Sequence, residues 1–150
     1  ADLILVRTGV TEPRTGGFGA QANMTPAQRA AMQRQREIEA AKPVDISLPA
    51  SIWNNIKKLS ATGKPVVVAF NPSGTSIVLP KDLKQTVKGC FLVFDCLDNA
   101  LLDVVFGKFN PVGKLPFEIP ATMDDVTKQL EDVPFDAPNK AFEFGFGLSY

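Results

Sequence analysis

The amino-acid sequence predicts an α/β fold: a three-layer α/β/α sandwich built around a mostly parallel sheet. Three observations carry this reading. Val66-Val67-Val68-Ala69-Phe70, led in by Lys64-Pro65, is a continuous apolar run rich in β-branched residues. An alternating strand hides one face, whereas a continuous apolar run must hide both, which takes helices above and below. Leu3-Ile4-Leu5-Val6 and Cys90-Phe91-Leu92-Val93-Phe94 have the same character, and helical patterns separate the three. In such a sheet the ligand end lies where the strands stop and their loops begin.

Taken in order, Leu3 to Thr8 reads as the first strand. Gly9-Val10-Thr11-Glu12-Pro13-Arg14-Thr15-Gly16-Gly17-Phe18-Gly19 follows, with too much glycine and proline for regular structure. Composition alone makes it a solvated surface loop. A long irregular loop at the carboxyl end of a strand also suits a functional role, with Glu12, Arg14 and Phe18 as its chemical groups. Thr25-Pro26-Ala27-Gln28 opens a helix with a capping box and proline at the first helical position. That helix should run to about Ala41. Val44 to Leu48 alternates, as a short edge strand or an extended link. Ala50 to Ser60 is amphipathic, with Ile52, Ile56 and Leu59 on one face and Trp53 beside them as a core residue; Gly63 ends it. The central strand gives way to a second loop, Asn71 to Thr75, at the sheet end of the Glu12 loop. Pro80 to Val87 reads as a short helix and Gly89 to Cys96 as the third strand. Asp98 can cap a helix from Asn99 to Phe106, apolar on most sides and so expected buried. The prolines of Asn110 to Pro120 exclude a central strand and leave an edge strand or strap. Thr122 caps a last helix to about Leu130, with Met123, Val126 and Leu130 inward. The aromatic, glycine-rich tail from Phe142 to Tyr150 should be docked.

A chain of 150 residues is one domain by length. Its 16 basic and 16 acidic residues cancel, which leaves no field to attract nucleic acid or an anionic membrane. No apolar run approaches the ~20 residues that span a bilayer. The chain opens inside a strand pattern, so the polypeptide is expected to begin earlier. It has 0 histidines, which removes Ser-His-Asp and Cys-His catalysis and most zinc sites. Acid–base work falls to Asp, Glu, Lys or Tyr150, and no metal or cofactor is expected. Cys90 and Cys96 bracket one predicted strand. Extended, their Cα atoms would be ~20 Å apart, too far for a disulfide, so both should be free thiols. Gly16-Gly17-Phe18-Gly19 is too weak a match to a phosphate loop.

Phe106-Gly107-Lys108-Phe109-Asn110-Pro111-Val112-Gly113-Lys114-Leu115-Pro116-Phe117 resembles the FG-x-x-NP-x-GKLPF signature of glycoside hydrolase family 3. Phe144-Gly145-Phe146-Gly147-Leu148-Ser149-Tyr150 is similar to that family's FGFGLSY ending, and Glu131-Asp132-Val133-Pro134-Phe135-Asp136 lies between them where members carry a similar run. Three motifs in the family's order make the resemblance specific; GKLP alone would not.

The resemblance implies a β-glucosidase-like enzyme of two main domains. An amino-terminal barrel carries an aspartate nucleophile, and a flavodoxin-like α/β sandwich lends a loop to the active site. In many members that loop follows an ADLAIV-like strand and holds the acid/base glutamate. Here the strand is Ala1 to Val6 and the glutamate is Glu12, with Thr11 where an aromatic is common. Neither the barrel nor the sandwich's opening strand is in the sequence. The resemblance therefore implies the later portion of a larger enzyme, a cleavage product or one chain of a split protein, with no turnover on its own. The implied partners are a barrel with the nucleophile and a β-linked sugar; a homo-oligomer is left open. A secreted or periplasmic location fits the family. Retaining glycosidases hold two carboxyls ~5–5.5 Å apart, and the acid needs a pKa raised by burial or by a nearby carboxylate. Arg14 would lower that pKa by pairing with Glu12, so it is expected to face substrate or structure instead. Phe18 offers a sugar-stacking face or packing beneath the loop. The competing readings are a non-catalytic structural or sugar-binding module that buttresses the barrel, and an unrelated flavodoxin-like ligand-binding domain, which no phosphate loop supports.

Overall fold

Strands β1 (Ile4–Gly9), β2 (Val66–Asn71) and β3 (Gly89–Leu92) form one parallel sheet in the order β1-β2-β3. The computed structural model describes residues 2–10, 25–40, 45–72 and 76–149. The register runs from Ile4 opposite Val66 to Gly9 opposite Asn71, and from Val67 opposite Gly89 to Phe70 opposite Leu92. Successive side chains of a strand point to opposite faces, so both faces of this apolar sheet need cover. One face carries Ile4, Val6, Val66, Val68, Phe70, Cys90 and Leu92 and packs with Ile52, Trp53, Ile56 and Leu59 of α2 (Ala50–Ser60) and with Leu83 of α3 (Leu83–Thr86). The other face carries Leu5, Ala69, Phe91 and Val93, and meets Leu101 and Val105 of α4 (Asp98–Val105). The α/β sandwich read from the sequence is thus the fold observed, and β2 is its centre: Val68, Ala69 and Phe70 are fully buried.

A separate antiparallel pair joins β4 (Ile119–Pro120) to β5 (Lys140–Phe142), with a bulge between Ile119 and Pro120. The proline-rich stretch before it is a strap, as its prolines require. By contacts the chain divides into two compact units, Ala1–Thr11 with Ile46–Tyr150, and Glu12–Asp45. The second unit holds α1 (Pro26–Ala40). Its capping box is formed: the Gln28 amide N–H donates to Thr25 Oγ1 at 3.3 Å and Gln28 Oε1 accepts from the Thr25 N–H at 2.8 Å. Among the described residues no helix is long and apolar enough to cross a membrane.

Several expectations need correction. β3 ends at Leu92, not Cys96, because Asp95 turns the chain with φ +50°. Cys90 and Cys96 therefore do not bracket one strand, although both are free thiols. The helix at Asp98 begins one residue earlier than expected, with Leu97 as its cap and Asp98 in its first turn. It is not buried all round: Leu101 is buried but Ala100 is exposed. The last helix, α5 (Met123–Thr127), stops short of Leu130, which is 64% exposed. Val44 to Leu48 reduces, among its described residues, to a single bridge from Ser47 to Val78. That bridge belongs to a segment missed in the sequence, Ile77-Val78-Leu79, all of it buried.

Candidate active-site rim

Because β1 and β2 run parallel with Gly9 opposite Asn71, the segments that follow them leave the sheet from the same end. Val10 and Pro72, the first residues out, are both buried, which anchors the two exits. The segment after β3 joins this rim. The Val93 N–H donates to the Phe70 carbonyl at 2.9 Å, and two residues on Asp95 takes the left-handed conformation that aspartate tolerates better than most side chains. The side-chain amide of Asn71 donates to Asp95 Oδ1 at 3.3 Å.

Arg7 closes the same rim from the other edge. It shares the β1 face of Leu5 and pairs in register with Ala69. Its guanidinium donates from Nη2 to the Cys96 carbonyl at 2.7 Å and from Nη1 to the Asp98 carboxylate. A planar fork with several fixed donors suits this two-point contact. The three predicted site residues, Glu12, Arg14 and Phe18, lie outside the described residues, as does Tyr150. Sequence reading missed Arg7, Asn71, Asp95 and Asp98. One signal was available: a single cation inside an apolar strand, at the end where ligands bind.

A second constellation is structural. The strap pairs with the tail: the Leu115 N–H donates to the Phe146 carbonyl at 2.9 Å and the Gly145 N–H to the Leu115 carbonyl at 2.9 Å. Phe146 packs on Phe142 with ring centroids 5.2 Å apart. Phe135 stacks on Phe144 at 4.3 Å. A cavity of about 440 Å³ lies between the edge of β3, α4, the strap and the tail, lined mainly by apolar groups such as Phe91, Leu92, Ala100, Val104 and Leu148. Cys90 also lines it, and burial pushes this thiol up to about 12. That keeps it protonated and a poor nucleophile near neutral pH.

Two carboxylates are buried nearby, and both serve structure. Glu118 accepts from the Gln129 side chain and the Ala137 N–H, each at 2.9 Å, and pairs with Lys140 Nζ at 3.2 Å. Hydrogen bonding to Glu118 raises the Lys140 pKa above its usual value. Thr122 caps α5, and Asp125 braces that cap. Thr122 Oγ1 donates to the Asp125 carboxylate while accepting from the Asp125 N–H at 3.2 Å, and Asn139 donates to Asp125 Oδ1 at 2.7 Å. The Thr122 hydroxyl, then Asn139, hold the Asp125 pKa below its ordinary range. Glu118 Oε1 takes both hydrogen bonds, while the buried Oε2 has only the Lys140 ion pair. Among the described residues no group of three or more His, Cys, Asp or Glu could hold a metal ion.

Comparison with known proteins connects the strap–tail pairing to a family. Residues 2–150 match the profile of the Glycosyl hydrolase family 3 C-terminal domain. The chain belongs to glycosyl hydrolase family 3. It is 37% identical over 151 residues to a probable beta-glucosidase C of Aspergillus flavus, with all of this chain and 20% of that protein covered. It is 38% identical over 143 residues to a probable beta-glucosidase C of Aspergillus oryzae, covering 93% of this chain and 18% of the relative. A periplasmic beta-glucosidase of Salmonella typhimurium is 31% identical over 132 residues, covering 75% and 17%. The chain therefore spans about a fifth of the length of the relatives it matches. The motifs that carried the resemblance, at 106–117 and 144–150, are in their described part the two sides of the strap–tail pairing.

Proposed function

We propose that this chain is the C-terminal part of a retaining β-glycosidase of the β-glucosidase type, hydrolysing O-glycosidic bonds. It supplies the acid/base loop to a barrel domain that carries the aspartate nucleophile, and it does not turn over substrate alone. Glu12 is the acid/base. The observation that carries this reading is the parallel register of Gly9 with Asn71, which makes the exit of β1 part of the sheet's ligand end; Glu12 is the second residue after the buried anchor Val10. The relatives named as beta-glucosidases support the substrate class. Among the described residues the two buried carboxylates, Glu118 and Asp125, are held by Lys140 and by Thr122 and Asn139, which favours the segment after β1 for this work. In this reading Arg14 and Phe18 face the sugar, Arg14 by hydrogen bonds and Phe18 by stacking.

The chemistry follows from the acid's two tasks. Protonated, Glu12 gives its proton to the glycosidic oxygen as the aspartate attacks; ionised, it takes a proton from the water that hydrolyses the glycosyl-enzyme. The test is Glu12→Gln in the full-length protein. Hydrolysis of a glycoside with a poor leaving group should fall by about 10²–10⁴-fold, while an activated aryl glycoside loses much less in the glycosylation step. Equal and mild effects on both would instead make the domain a buttress for the barrel and place the acid elsewhere.

A further inference from the structure

We infer that the cavity between the edge of β3, α4, the strap and the tail binds an aliphatic monocarboxylate, its hydrocarbon chain inside and its carboxylate on Lys114. The inference makes no use of the reaction proposed above, and every residue in it belongs to one compact unit. The composition of the lining comes first. Phe91, Leu92, Val104, Leu115, Phe142 and Leu148 give it an aliphatic and aromatic wall, and Lys114 is the one charged side chain among the lining residues. Burial keeps the Cys90 thiol protonated, so it adds no second charge. A sugar would need several polar groups to meet its hydroxyls, and burying those hydroxyls unpaired is costly. An apolar body with one anionic end asks for what this wall provides.

The place of the lysine comes next. Among the described residues no carboxylate lies within ion-pair reach of Lys114, and its bond to the Gly147 carbonyl is long, at 3.4 Å. Its stem lies against the tail at Gly147, where a Cβ would stand 2.7 Å from Lys114 Cδ. The bare glycine is what gives the stem its course along the cavity wall. A second cation stands behind the wall: Lys84 Nζ is 4.5 Å from the ring centroid of Phe142 and 5.9 Å from that of Phe146, and both rings line the cavity. Two positive charges on one side favour an anion and disfavour a cation.

Size sets the chain length. At the ~30 Å³ that a water-sized group occupies in a liquid, a volume of about 440 Å³ holds about 15 heavy atoms. A decanoate, with about 12, fits with room for its head. Phe94, Phe146 and Leu148 line the cavity and are also exposed, so it opens to solvent and a chain can enter. Each methylene buried there is worth about 4-fold in affinity.

The experiment is calorimetric titration of the full-length protein with decanoate, hexanoate, 1-decanol and decyltrimethylammonium, with thermal melting of each variant. Decanoate should bind, with hexanoate about 100-fold weaker or more. Decanol, without the charge, should bind about 5-fold more weakly than decanoate, and the cation at least about 10-fold more weakly. Lys114→Met should bring decanoate to about the level of decanol and change decanol itself less than about 2-fold. Ala100→Phe, at an exposed position of α4 that lines the cavity, should fill the space and weaken both ligands at least about 10-fold. If it does not fold, Leu148→Trp fills the cavity from the tail. Three results would overturn the inference. No binding of decanoate to the full-length protein would mean that other parts of the polypeptide occupy the cavity. Equal affinities for decanoate and decanol, unmoved by Lys114→Met, would make it a receptacle for any apolar molecule. Wild-type binding in the cavity-filling variants would place the ligand elsewhere. None of these results bears on Glu12→Gln, so the two readings stand or fall separately.

Discussion

Gly147 is where the strap–tail pairing is most exposed to test. A Cβ added there would lie 2.5 Å from the Gly113 carbonyl oxygen, 2.7 Å from Lys114 Cδ and 3.1 Å from Lys114 Nζ. The lysine can swing away, but the carbonyl is backbone. The contact falls about 0.9 Å short of the 3.4 Å at which ordinary van der Waals packing begins, so strap and tail must part by most of that distance. The two Leu115 backbone bonds, both 2.9 Å, would stretch beyond useful length. Overpacking costs about 1–3 kcal/mol and each backbone bond contributes about 0.5–1.5 kcal/mol. We therefore expect Gly147→Ala to destabilise by about 2–3 kcal/mol. Two sibling variants isolate the cause. Gly145→Ala meets nothing within 4 Å but sits at φ +74°, so it carries only backbone strain, about 1–2 kcal/mol. Gly113→Ala meets nothing within 4 Å and has no positive φ, and should lie within about 0.5 kcal/mol of wild type. Urea unfolding at constant m-value gives the ranking, and amide exchange at Leu115 and Gly145 shows whether the pairing opens before the domain does. If Gly147→Ala and Gly113→Ala are equally mild, and exchange at Leu115 is unchanged, the close approach described here is wrong.

Three further outcomes follow from the packing and the charges. Phe70→Ala empties the fully buried centre of the sheet and should cost about 3–5 kcal/mol, read as a lowered midpoint in the same urea assay. Asp125→Asn tests the carboxylate that braces the Thr122 cap. The native carboxyl is held below the ordinary 3.8, so its contribution is present above that value and is lost as pH falls through the lower native pKa. The stability gap between wild type and Asp125→Asn should be full at neutral pH and close as unfolding is measured at progressively more acid pH below about 3.8. Lys140→Met leaves the Glu118 carboxylate buried and without its cation, whereas Lys128→Met breaks an exposed pair with Asp124. The first should lower the melting temperature clearly and the second hardly at all. Because the Lys140 pKa is raised, that difference should persist up to about 10.5 and fade above it.

What could be read from the sequence was what local chemistry decides. The β-branched run at Val66 announced the central strand, Thr25 to Gln28 announced the start of α1, and the glycine-rich tail announced a docked end. What could not be read depends on contacts distant in the chain. Phe94 to Cys96 continues an apolar strand pattern, and nothing nearby says that Asp95 will turn with a positive φ to meet Asn71. Ile77-Val78-Leu79 is too short to show a period, yet it is buried because Ser47 and Pro120 come to it from elsewhere. Leu130 continued the helical stripe, but the Asp136 carboxylate takes its N–H at 2.9 Å and ends the pattern before it. Arg7 looked like an ordinary interruption, because its partners stand 89 and 91 positions away.

The same distinction explains why the family was easier to recognise than the site. Residues 106–117 and 144–150 form a clasp, and a clasp dictates residue types over many consecutive positions. Gly147 admits no Cβ, Gly107 and Gly145 take positive φ, and the prolines of the strap give up donors that no strand beside them uses. Each requirement is written directly into the chain, so the pattern is long and distinctive. General acid catalysis asks for far less of the sequence: one carboxyl, delivered to the right point by whatever backbone will hold it there. Its demand is geometric and falls on the support, in the proposed reading the strand ends where Arg7 meets Cys96 and Asp98 and Asn71 meets Asp95. Local pattern finds a clasp readily. It finds a support only after the sheet has been assembled, and for that reason Glu12→Gln in the full-length protein tests more of the proposed reading than any change within the motifs that identify the family.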